Sequence, residues 1–337
     1  MRVSPVKLRI LATLAYHDVL AMPLTAWEVY RWQIAANLPR ADRAREQQPL
    51  VGQEVVSLAG VMQELEHLRA DGSIGEMNGY YFLEGRETLY AERIERMKAA
   101  EAKWHKAQWA ISCLRAAPFI RGAALAGSMG RGMAVSLSDI DLFIITEKNR
   151  IWTGRFFLTM LALLNWRLRP GRYTRLLYPF ARKGPKGSYA DKLCLNHYVS
   201  LTGMAMRNKN LYTAMTRTQI LPLWGEQYFA EFYARNAWIF SYVPNALAAT
   251  TSCKTITHGR LFAAAQRIGE AILAGFVGDI VERMMRAGQL WLIAKNPLTK
   301  KPGKVEVSDA ELAFHPSLRD EEVLDNFKGK MVKWLEA

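Results

Sequence analysis

The sequence predicts an α+β chain, rich in helix, with its few strands gathered in two places. Three observations predict it. Apolar residues recur at helical spacing over 5–17, again over about 54–70 and over about 259–294. The stretch from Ser73 to Leu83 reads as a small hairpin turned at Asn78-Gly79. Between Leu125 and Ile145 a short apolar strand leads into a Gly-Ser turn, a helix start and a second strand. The 337 residues thereby divide into a helical unit with a hairpin (1–85), a connecting helix (86–117), a small mixed-sheet core (118–205) and a helical region (206–337).

Apolar residues make up 50% and charged residues 23%, as in ordinary globular chains. The net charge of +14 is the unusual number, and it calls for a polyanionic partner: nucleic acid, a nucleoside triphosphate or an acidic surface. Cys113, Cys194 and Cys253 are too few and too scattered for a disulfide framework or a zinc site, so a cytoplasmic location is expected. The histidines show no metal-ligand spacing. Near the N-terminus the apolar run is broken by His17 and Asp18, and no signal peptide is expected. The most apolar segment, 156–166, falls short of the roughly 20 residues that span a bilayer, so it reads as a buried helix.

In chain order, the helix over 5–17 is followed by a second that Thr25 can cap. A polar loop holding Pro39 and Pro49 precedes the third, which ends at Asp71-Gly72. That third helix carries Glu54, Glu64, Glu66 and Asp71 against Arg69 alone. Phosphate contacts need the opposite charge, so sequence-specific DNA reading is not expected. From Glu87 to about Ala117 opposite charges stand three or four apart, which predicts a long solvated connector that Pro118 ends.

From Arg150 to Ala190 there is no Asp or Glu, while Arg150, Arg155, Arg167, Arg169, Arg172, Arg175, Arg182, Lys183 and Lys186 are all basic. The stretch is either a solvated face or a phosphate-binding wall. A helix is predicted over 151–167 and a strand over 192–200. Beyond Asn210 the pattern is helical to the end: 211–235, a break at Pro244-Asn245, 259–294, a basic loop from Lys295 to Lys304, and a last helix near 320–335.

The chemistry gathers between Gly127 and Asp141. Side chains alternate along a strand, so Asp139 and Asp141 project together while Ile140 and Leu142 go to the other face. Paired carboxylates are hard oxygen ligands suited to Mg²⁺, which completes its shell with water and phosphate. Gly127 lets the backbone approach a ligand closely, and the Ser128 turn offers N–H groups and a hydroxyl to phosphate oxygens. Together these describe metal-assisted attack on the α-phosphate of a nucleoside triphosphate.

Gly127-Ser128, ten residues, then Asp139-Ile140-Asp141-Leu142 resembles the signature of the DNA polymerase beta-like nucleotidyltransferase superfamily, and Arg131-Gly132 and Ser138 extend the match. The three helices and hairpin of the N-terminal unit resemble a winged-helix domain. The runs Asn210 to Ala214, Pro222 to Gly225 and Asn236 to Trp238 resemble a prokaryotic subgroup, which points to a reaction class and no substrate.

The resemblance implies a winged helix, a small mixed-sheet nucleotidyltransferase core with helices on one side, and a C-terminal helical domain. It implies that Gly127, Ser128, Arg131 and Ser138 bind nucleotide and that Asp139 and Asp141 are catalytic metal ligands for Mg²⁺ or Mn²⁺. Transfer of a nucleoside monophosphate to an acceptor hydroxyl on RNA, a protein or a small molecule follows. Members usually carry a third carboxylate on a later strand, which helps hold the metal; here Asn196 stands at the matching place, and its amide oxygen or Asp191, just before the strand, is the candidate metal ligand in its stead. That departure supports an alternative, a weakly active or inactive nucleotide- or RNA-binding module that uses the winged helix for partner contact.

Overall fold

A computed structural model describes residues 4–35, 56–165, 190–246, 256, 259–295, 304–315 and 319–335. Helix α1 (Pro5–Val19) starts where the Ser4 hydroxyl accepts from the Lys7 N–H and Pro5 fills the first turn. Helix α2 (Ala26–Arg31) opens in a capping box: the Thr25 hydroxyl accepts from the Glu28 N–H, and the Glu28 carboxylate accepts from the Thr25 N–H. Helix α3 (Leu58–Ala70) turns Val61, Leu65 and Leu68 inward. Strands β1 (Leu24–Thr25), β2 (Ile74–Met77) and β3 (Tyr80–Leu83) form an antiparallel sheet in the order β1-β3-β2. Asn78 and Gly79, at φ 51° and 81°, make the turn between the last two.

Helix α4 (Thr88–Leu114) corrects the expectation of a solvated connector. Leu89, Ala100, Trp104, Ala107, Ile111 and Leu114 form a buried stripe at helical spacing, and its flanking charges masked that stripe in the sequence. Two of those charges are buried as well. Arg93 pairs with Glu28 at 2.6 Å and donates to the Pro23 carbonyl; Lys103 donates to the carbonyls of Ser136 and Ser138.

Strands β4 (Ile120–Leu125), β5 (Ile140–Thr146) and β6 (Leu193–Ser200) are connected through the one-turn helix α5 (Gly127–Gly130) and helix α6 (Ile151–Leu164). The region after 206, read as wholly helical, supplies three more strands. After helix α7 (Leu211–Thr218) comes β7 (Leu221–Trp224), then α8 (Glu226–Arg235) and α9 (Ile239–Tyr242). Pro222 is tolerated because β7 lies at the sheet edge, paired only with β4. Strands β8 (Lys304–Val307) and β9 (Glu311–His315) form a hairpin before helix α12 (Arg319–Leu335). The sheet runs β7-β4-β5-β6-β9-β8, and among the described strands only β5 and β6 pair in parallel. The helix read over 259–294 is two, α10 (Gly259–Ile272) and α11 (Gly275–Ala294), bent by 97°.

Helices cover both faces of this sheet, not one. Phe143, Ile145 and Val199 share a core with Ile10 and Leu14 of α1, Met215 of α7, Phe232 of α8 and Phe327 of α12. Leu142, Ile144 and Tyr198 pack on the other side with Trp104 of α4 and Leu158 of α6. Among the described residues no single helix is long and apolar enough to cross a membrane.

A buried polar link joins the N-terminal unit to the sheet. His17 donates from Nδ1 to the Thr13 carbonyl at 2.8 Å, and its Nε2 accepts from the Gln219 amide at 3.0 Å. Burial pushes the imidazole down to about 4, against the Thr13 hydrogen bond, which raises it. Between about 6.5 and 4 the unfolded chain binds the proton and the folded chain does not, so acidification destabilises the fold, by up to about 3 kcal/mol for this group. Urea denaturation at pH 7, 5.5 and 4 measures it. His17→Gln, which keeps an amide hydrogen bond and does not titrate, is expected to flatten that slope; an unchanged slope would remove His17 from the account.

Candidate functional site

Strand β5 sets the geometry. Ile140 and Leu142 are buried on the α4 side, which sends Asp139 and Asp141 to the opposite face, both partly buried. Directly across the parallel pair from Asp141 stands Cys194 of β6. One ligand atom from each of Asp139, Asp141 and Cys194 lies within 4.8 Å of the others. Sequence reasoning missed Cys194, because the register of a parallel pair depends on a crossover that local pattern does not encode.

Gly127 closes the site from the side. Its φ is +56°, and a Cβ there would lie 2.5 Å from Oδ2 of Asp141. The Ala126 N–H donates to the Asp141 carbonyl at 2.9 Å, so turn and carboxylate strand are one unit. Ser128 is partly exposed beside it, and its carbonyl accepts from the Met133 N–H at 2.8 Å. The partly buried Arg131 interacts electrostatically with Tyr16, Tyr212, Arg319 and Asp141; burial holds its guanidinium below the usual range, against the raising effect of Tyr16.

The loop that delivers Asp139 is fastened from below. Lys103 Nζ donates to the Ser136 and Ser138 carbonyls, each at 2.8 Å, and to Oδ1 of Asp191 at 2.9 Å. Lys106 reaches the other Asp191 oxygen at 3.2 Å. The Ser138 hydroxyl donates to the Val135 carbonyl at 2.9 Å, closing the loop on itself. Asp191, read as an alternative metal ligand, is thus held by two lysines, and the group gathered with Asp139 and Asp141 among the described residues does not include it. Asn196 follows in an irregular stretch of β6, between the Asp141–Cys194 and Phe143–His197 pairs.

Behind the carboxylates, His197 packs edge-on against Phe143. Its Nε2–H donates to Glu311 at 3.0 Å, and Nδ1 accepts from Arg217 at 3.0 Å. Arg217 also lies over the Phe143 ring, 4.7 Å from its centroid. Burial, then the Arg217 charge, pushes the His197 imidazole well below its usual range, so it stays neutral in one tautomer. This wall draws on α7 and β9, which explains why it was illegible in the sequence.

Of the basic stretch, Arg150 pairs with Asp279 at 2.6 Å and Arg155 lies over Phe314 while donating to Gln289. Both join α6 to its neighbours. Arg167, Arg169, Arg172, Arg175, Arg182, Lys183 and Lys186, the remainder of the expected phosphate-binding wall, lie outside the described residues.

Compared with known proteins, the chain matches no family model, no curated protein and no solved structure.

Proposed function

We propose that this chain is a metal-dependent nucleotidyltransferase of the DNA polymerase beta-like kind, with a winged-helix-like N-terminal unit. It moves a nucleoside monophosphate from a triphosphate to an acceptor hydroxyl on RNA, a protein or a small molecule. The observation that carries the reading is Gly127, pressed so closely on Asp141 that the Gly-Ser turn and the carboxylate lie side by side, which suits a turn that receives phosphate next to a carboxylate that holds its metal. Asp139, Asp141 and Cys194 would hold the ion. Two carboxylates fit Mg²⁺ or Mn²⁺, and the thiol beside them is a softer ligand than either ion prefers. When bound, the ion supplies charge neutralisation at the triphosphate and a more acidic acceptor hydroxyl. The chain's own part is to orient phosphate at Gly127 and Ser128, place Arg131 and Ser138 beside it, and keep Asp139 in position through Lys103.

A second reading, a nucleotide- or RNA-binding module with little turnover, is favoured by one observation: the third side chain gathered with Asp139 and Asp141 is the Cys194 thiol and not a carboxylate. Incubation with α-labelled triphosphates, Mn²⁺ or Mg²⁺, and total RNA or protein separates the two. Label transfer is expected, falling by about a thousandfold or more in Asp139→Ala/Asp141→Ala. Transfer that persists in the double variant would sink the catalytic reading. Metal-dependent nucleotide binding without transfer would establish the second.

A further inference from the structure

Helices α10 and α11 turn their acids and amides inward, beside Met285, Leu290 and Ile293, which pack on the core. Glu270 accepts from the Phe119 N–H and from Arg121, and Glu282 accepts from the N–H groups of Trp152 and Thr153. Gln266 and Gln289 donate to the carbonyls of Ile120 and Trp152. The opposite sides of the same helices carry large apolar residues into solvent. Leu261, Ile268 and Ile272 lie along one side of α10, at 75%, 63% and 68% exposure. Phe276, Ile280, Met284 and Trp291 continue along α11, with Phe276 73% exposed. A helix in water ordinarily keeps such a stripe turned toward the core.

The charges around this face are of one sign. Glu270, Asp279 and Glu282, all the acids of the pair, are engaged with the protein, Asp279 through Arg150. Arg260, Arg267, Arg283 and Lys295 are exposed, and Lys300, Lys301 and Lys304 follow in the sequence. Lys295 lies over the ring of the exposed Trp291, 3.3 Å from its centroid, a tryptophan and lysine pairing suited to a headgroup boundary. Each helix lacks the length and apolarity to cross a bilayer, and taken together they have the composition of a bent membrane segment.

We propose that this face lies on an anionic lipid bilayer, with the apolar stripe from Ile268 to Met284 sunk to the acyl boundary and the Arg and Lys residues at the headgroups. A second copy of the chain fits the face poorly, because two such fringes bring like charges together in a chain of net charge +14. The inference does not depend on the nucleotidyltransferase reading.

Co-sedimentation of the purified full chain with phosphatidylcholine vesicles, with and without phosphatidylglycerol, tests it. Binding is expected only with phosphatidylglycerol, decreasing with added salt. Phe276→Asp/Met284→Asp is expected to lower the partition coefficient by about tenfold or more, with an unchanged melting temperature because both side chains are exposed. Arg267→Glu/Arg283→Glu is expected to lower it as well. As a readout on an almost unaltered surface, the fluorescence blue shift on vesicles is expected to shrink in Trp291→Phe. No vesicle binding, binding that both double variants leave intact, or a solution dimer that Phe276→Asp/Met284→Asp dissociates would overturn the proposal.

Discussion

Gly127→Ala is expected to abolish metal-dependent triphosphate binding while costing the fold only about 1–2 kcal/mol, the ordinary penalty of a side chain in the left-handed region. The disproportion follows from where the new methyl group would sit. It would meet Oδ2 of Asp141 at 2.5 Å and Cγ at 3.3 Å, so either the carboxylate turns away from Asp139 and Cys194 or the turn lifts off the strand. Gly132→Ala is the control. Gly132 has φ +65°, and nothing lies within 4 Å of its added Cβ, so it carries the same backbone strain without the collision. Calorimetric titration of Mn²⁺ and a non-hydrolysable triphosphate, beside thermal melts, separates the effects. Equal binding by the two variants would refute the role given to this contact.

Lys103→Met is expected to destabilise the chain by about 3 kcal/mol, far more than a lysine on a charged helix normally would. Lys103 is buried, and its loss takes the ammonium donor from the Ser136 carbonyl, leaves the Ser138 carbonyl with the Asp191 N–H at 3.3 Å, and leaves the Asp191 carboxylate facing Lys106. Lys103→Met/Asp191→Asn is expected to recover part of the loss, which a double-mutant cycle in urea quantifies. The pH dependence follows from the same cluster. Burial alone would raise the Asp191 carboxyl, but the Lys103 hydrogen bond and charge, then those of Lys106, outweigh it and hold it below the usual carboxylate range. A lowered native value stabilises the fold above the unfolded value of about 3.9, and that contribution is lost as pH falls through the native value. Acid melts of the wild type should show this loss, and Lys103→Met should show less of it.

What was legible in the sequence was what neighbouring residues decide. Thr25 and Glu28 write a capping box, Asn78-Gly79 writes a turn, and the alternation from Asp139 to Ile145 writes a strand with two carboxylates on one face. What was illegible depends on partners distant in the chain. Strands β7 and β9 are short and become strands by pairing with β4 and β6, and β8 is held in turn by β9. Cys194 meets Asp141 only through the parallel register, and Lys103 reads as one more surface charge until Ser136, Ser138 and Asp191 surround it.

The meeting of α1 with α12 bears on how the chain is made. The Tyr16 ring sits 5.8 Å from that of Phe327, and the buried Asp18 pairs with Lys330 at 2.6 Å, across more than 300 residues. During synthesis α3 and the small sheet can cover one side of α1, while the side that meets α12 stays uncovered until the residues of α12 leave the ribosome. A contact closed across so much chain raises the contact order and favours slow refolding. Cutting away 319–335 would injure α1, so the N-terminal unit is best studied in the whole chain.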